Sequence, residues 1–130
     1  MTVANKNAIQ KIDTLDTFTG SNTFAVNEAF IYEDFVKHNS NEYDGYENLY
    51  VVYSYGYHFP MYIYDRQAGM WIGNEDSYSV STTRHQSQCR PSEGVECWLH
   101  TSQMKHYITC GSMMRYMERN ARQEVAFIND

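Results

Sequence analysis

The residues best equipped for chemistry lie between Ser79 and Pro91, in the run SVSTTRHQSQCRP. Hydroxyls, amides, Arg84, His85 and Arg90 crowd there, and no acid occurs from Ser77 to Ser92. Ser81, Thr82 and Thr83 are candidate N-caps for a short helix running to Cys89. Arg90-Pro91 ends it, because the residue before a proline avoids helical backbone. Free N–H groups at a helix start attract anions. Arg84 and Arg90 are suited to clamp a phosphate or a partner's carboxylate. The plainer account is that the hydroxyls cap the helix and the remainder is solvated.

Three His/Cys pairs stand at helical or knuckle spacing: His85 with Cys89, Cys97 with His100, and His106 with Cys110. A structural zinc ion needs four converging ligands. The run Cys97, His100, His106, Cys110 is not a standard finger spacing, and separate buried thiols with surface histidines are the plainer account. Arg115, Arg119 and Arg122 share one stripe of a last helix, with Glu118 beside them. That stripe suits an acidic partner, or it is simply a solvated face. His58 and Asp65 could exchange protons across a hairpin, although a histidine in a turn beside Pro60 is more often structural. No Gly-rich phosphate loop, nucleophile elbow or metalloprotease pair occurs. Cys110 and Arg115 are one residue too close for a phosphatase-like thiol loop. The expectation is a protein without catalysis, cofactor or metal.

The elements that must position these groups centre on tyrosine. Eight tyrosines fall among the twenty-two residues from Tyr43 to Tyr64. Leu49–Tyr55 reads as a strand, rich in β-branched and aromatic residues. Gly56-Tyr57-His58 is its turn, Phe59–Tyr64 a second strand, and Met70–Ile72 a third. Pro60 must stand at a strand start or a sheet edge, and Gly69 supplies a positive φ. Alternation places Leu49, Val51, Tyr53 and Tyr55 on one face and Tyr50, Val52 and Ser54 on the other. If helices cover both faces the rings are core. If one face is open it is a stacking platform or a docking surface.

Around this meander, residues 1–22 read as a short helix or a partly ordered arm. Thr23–Val26 reads as strand, and the pattern from Asn27 to Val36 suits a helix. Tyr78–Val80 reads as a fourth short strand. Thr101 or Ser102 caps a helix carrying Met104, Tyr107 and Ile108. Gly111-Ser112 interrupts it, and a further helix runs to about Arg122, before an apolar tail, Val125–Ile128. The fold class is therefore α+β: one domain over residues 1–130, with an antiparallel meander at about 49–80 between N-terminal and C-terminal helices.

The net charge is −6, and 42% of residues are hydrophobic against 20% charged, which suits a globular chain rather than a disordered one. Residues 1–50 set Lys6, Lys11 and Lys37 against eight acids, so most of the negative charge lies there. This balance argues against a generic nucleic-acid coat. Three cysteines and no secretory leader favour a reducing cytoplasm with free thiols. No apolar run approaches membrane-spanning length.

From Leu49 to Pro91, the run YVVYSYGYHFPMYIYD, a Trp-containing strand and YSVSTTRHQSQCRP resemble a small protein type encoded by phages and plasmids. The shared features are the Tyr-Ser-Tyr-Gly strand end, His-Phe-Pro, and Arg-His-Gln-Ser-Gln followed by Arg-Pro. Residues 1–48 and 92–130 fall outside the likeness. It lends no site residues. It implies a mobile-element accessory protein working inside a bacterial cell.

These readings lead to a binding protein that inhibits a host protein or nuclease complex, in the manner of an anti-defence or anti-CRISPR factor. Glu42, Tyr43, Asp44, Tyr46 and Glu47 would imitate a phosphate backbone and occupy a basic surface, with Tyr57, Arg84, His85 and Arg90 completing the binding set. The alternative is a nucleic-acid module in which Arg84, His85 and Arg90 hold phosphates while Tyr53, Tyr55 or Tyr57 stack bases. A small zinc protein is the third reading. Homodimers could form through a tyrosine face or the Met113–Met117 helix.

Overall fold

Leu49–Ser54 is buried at every position, and its side chains show no alternation of apolar and polar types. Such a strand must lie inside a sheet covered on both faces. The computed structural model, which describes residues 3–28 and 48–129 with side chains to residue 121, shows this arrangement. Six strands lie in sequence order: β1 (Phe18–Thr19), β2 (Thr23–Glu28), β3 (Leu49–Ser54), β4 (Pro60–Asp65), β5 (Met70–Asn74) and β6 (Cys97–Leu99). Neighbours are antiparallel except β5 and β6, which are parallel. Among the described residues, four α-helices flank the sheet: α1 (Ala8–Asp13), α2 (Val80–Gln88), α3 (Thr101–Cys110) and α4 (Met113–Asn129). The fold is α+β, with the expected meander and flanking helices.

Each face of β3 feeds its own core. Tyr50 and Val52 pack with Ala8 and Ile12 of α1, with Phe59, Met61, Tyr62 and Trp71, and with Cys89 after α2. Leu49, Val51 and Tyr53 pack with Ile63, Ile72, Met104, Tyr107, Cys110 and Tyr116. Both alternatives for the tyrosine sheet thus resolve to core within the strands. Buried tyrosines must still satisfy their hydroxyls. Tyr50 donates to the Asp16 carbonyl at 2.6 Å, Tyr62 to the Gln86 carbonyl at 2.6 Å and Tyr53 to Glu28 at 2.5 Å. Burial raises all three phenols, Tyr62 to about 12.

Several local expectations change. Of the two readings for residues 1–22, the short helix is the one seen: α1 closes one sheet face and fully buries Ala8 and Ile12. Strand β2 continues through Asn27 and Glu28, paired with Tyr50 and Leu49, where a helix was expected to begin. The rest of that stretch, to Val36, lies outside the described residues. Tyr78–Val80 is not a strand. Ser79 caps α2 instead, accepting from Thr82 N at 3.1 Å while Thr82 Oγ1 accepts from Ser79 N at 2.9 Å. This reciprocal capping box moves the helix start two residues before Ser81.

At the start of α3 the cap position is His100, not Thr101 or Ser102. Asp76 accepts from Thr101 N at 2.7 Å, and this bond, followed by that from His100, holds the Asp76 carboxyl down to about 2. Helix α4 runs on to Asn129, past the expected end near Arg122.

Candidate functional site

The β3–β4 turn leaves the sheet with its rings facing solvent. Tyr55 is 54% exposed and Tyr57 64% exposed, whereas the strand tyrosines before them are buried. Both turn rings are braced from behind. Tyr57 lies edge-on to Phe24 (centroids 5.0 Å apart) and to Tyr53 (4.9 Å), and Phe24 stacks on Tyr53 at 5.1 Å. Tyr55 sits at φ 65°, a left-handed backbone rare outside glycine. Its N–H donates to the Asn22 carbonyl at 2.7 Å, and its ring meets the His85 ring at 5.1 Å. The tyrosines are thus held in place at the surface, which lowers the ordering cost of a partner's docking.

These rings wall a groove of about 520 Å³ along the β1–β2 hairpin. Thr17, Thr19, Ser21, Asn22, Phe24 and Val26 line it with Tyr55 and Tyr57. None of its lining residues is charged. Helices α3 and α4 cover the same sheet face over Leu49, Val51, Ile63 and Ile72, further from this edge.

The expected site residues do not assemble as one cluster. Glu42, Tyr43, Asp44, Tyr46 and Glu47 lie outside the described residues. Arg84 is exposed and lines a shallow depression with Ser77, Tyr78, Ser79, Val80, Thr83 and Ser87. Arg90, beyond the end of α2, lies over the Trp98 ring, 5.6 Å from its centroid. His85 is the correction. It is buried, and its Nδ1 meets Ser54 Oγ at 2.6 Å, so it cannot join two surface arginines around a phosphate. Burial and the nearby Arg84 charge push His85 below the ordinary histidine range. Tyr53 is likewise buried and cannot stack a base. No protein-family model, curated protein or solved structure matches this chain.

The zinc alternative asks Cys97, His100, His106 and Cys110 to converge. His100 spends one ring nitrogen on Glu75 at 2.7 Å and the other on Asp76 at 2.8 Å. Cys110 Sγ lies 3.7 Å from His106 Nε2 and 3.6 Å from Arg119 Nη1. Among the described residues, no group of three or more His, Cys, Asp or Glu side chains could hold a metal ion. Burial raises the thiols of Cys89 (to about 12), Cys97 and Cys110. His58 and Asp65 stand at opposite ends of β4, and Asp65 is taken by a buried network.

Sequence reasoning missed the bracing residues. Phe24 belonged to a strand with no assigned role, and Ser54 was one of a face. The available signal was the strand end itself, where Tyr55 and Gly56 interrupt an otherwise apolar run.

Proposed function

We propose that this chain is a non-enzymatic accessory protein of a mobile element that docks on a host protein or nuclease complex in the bacterial cytoplasm and blocks it. The observation that carries the reading is the exposure of Tyr55 and Tyr57 on rigid supports. Tyrosines of this kind supply contact area and hydrogen bonds at small entropic cost, and they are common interface hot spots. The acid-rich first fifty residues favour a basic partner surface and steer its approach. Nucleic-acid binding is the weaker reading, because burial removes His85 and Tyr53 from it.

Affinity capture from host lysate, read by mass spectrometry, tests the proposal. A partner held by the wild-type chain should be lost on Tyr55→Ala with Tyr57→Ala, and weakened by charge reversal at Glu42, Asp44 and Glu47. The same capture by all variants would refute it.

A further inference from the structure

The groove beside Tyr57 has walls chosen for one kind of side chain. Its rings are Tyr55, Tyr57, Phe18 and Phe24, and its polar side chains, Thr17, Thr19, Ser21, Asn22 and Thr23, are all hydroxyls or amides. No lysine, arginine or histidine lines it. Acids flank it in sequence: Asp16 directly precedes Thr17, and Glu28 lies two residues beyond Val26. Glu28 also shares the sheet face of Phe24 and Val26, where it accepts the Tyr53 hydroxyl. Arg66, near the end of β2, donates to Asn27 Oδ1 at 2.8 Å, and Asn27 points to the opposite face by strand alternation.

We infer that this groove receives an arginine side chain of the partner protein. This rests on the docking role proposed above and names the chemistry that it reads. A guanidinium is planar and weakly hydrated, so it stacks on a tyrosine face while its N–H groups fork toward oxygen acceptors. The exposed Tyr57 ring, fixed by Phe24 and Tyr53, offers that face. The hydroxyls and the Asn22 amide offer acceptors, and the net charge of −6 draws a cation rather than repelling it. A phosphate-bearing ligand would meet no cation among the lining residues. A compact ammonium would keep its water and gain less from the rings.

The test titrates the full chain, isotope-labelled for NMR, with three blocked tripeptides, Gly-Arg-Gly, Gly-Lys-Gly and Gly-citrulline-Gly. The arginine peptide should shift the amides of Thr19, Asn22 and Tyr57, and bind about fivefold more tightly than the uncharged citrulline isostere. Tyr57→Phe should keep this preference, and Tyr57→Leu should lose it. Equal binding of citrulline, binding unaffected by Tyr57→Leu, or no shift with any peptide would overturn the inference. The same shifts with a single-stranded oligonucleotide would overturn it in favour of nucleic acid. If the peptides fail while capture from lysate still depends on Tyr57, the arginine assignment falls and the docking role stands. If capture ignores Tyr55 and Tyr57, both fall.

Discussion

Ser54 Oγ lies 2.6 Å from Nδ1 of His85, a pair separated by 31 positions in the chain. The contact ties the hairpin end to α2 and seats the ring against which Tyr55 rests. The ring tautomer sets which of the two donates. Removing the hydroxyl leaves a buried ring nitrogen without its partner in either case. Ser54→Ala should therefore cost about 1–3 kcal/mol in urea unfolding. It should also weaken partner capture by loosening Tyr55, although Tyr55 itself is unchanged.

His85 and His100 should give opposite pH slopes. His85 is held below its ordinary range by burial, so the unfolded chain takes its proton first and stability falls as pH drops through the histidine range. His100 is held above that range, first by its bond to Asp76 and then by Glu75. Its contribution is fully present below the ordinary range and is lost as pH rises through the elevated value. Between about pH 7 and pH 5, His85→Asn should flatten the loss of stability on acidification, and His100→Asn should steepen it. Unfolding midpoints at the two pH values check both signs.

Asp65 is the junction between the meander and the C-terminal helices. Fully buried, it accepts from Asn48 Nδ2 at 2.9 Å, from the Gln67 and Ala68 amides at 3.0 Å, from Met113 N at 2.8 Å, and from the Tyr107 hydroxyl. Asn48 in turn bonds the Gly111 carbonyl at 2.9 Å. Asp65→Ala would leave several buried donors without an acceptor and should cost about 3 kcal/mol or more. Tyr107→Phe removes one bond to a charged group and should cost about 1.5–3 kcal/mol. Denaturant melts of the two variants should rank in that order.

Two glycines should respond differently to alanine. At Gly73 a Cβ would sit 2.6 Å from the Trp98 ring, so Gly73→Ala must displace the indole from the sheet. A cost of about 1–3 kcal/mol is expected, with a shift in tryptophan emission. At Gly69 nothing lies within 4 Å, but φ is +66°, so only backbone strain opposes the change. Gly69→Ala should cost about 1–2 kcal/mol and leave the emission unaltered.

The meander was legible because β-branched and aromatic runs were punctuated by turn residues from Leu49 to Ile72. Pro60 opens β4 and Gly69 takes a positive φ, as local chemistry required. Strand β6 was not legible, since Cys97-Trp98-Leu99 is three residues long and owes its pairing to β5 across the α2 connection. The start of α2 was misplaced because several hydroxyls compete for one cap, and only the mutual bonds of Ser79 and Thr82 decide between them. The role of His85 was misread for a related reason. Residue type marks a histidine as capable of meeting phosphate, but helix phase relative to the sheet decides whether it faces solvent or Ser54.

Footprinting of the captured complex shows whether the braced turn tyrosines form the recognition surface. Tyrosine nitration of the free chain, mapped by mass spectrometry, should modify Tyr55, Tyr57 and Tyr78, all exposed, and spare Tyr50, Tyr53, Tyr62 and Tyr107. In the complex, Tyr55 and Tyr57 should become protected while Tyr78, on a separate surface, stays reactive. Tyr55 and Tyr57 nitrated as readily in the complex as in the free chain would contradict the account.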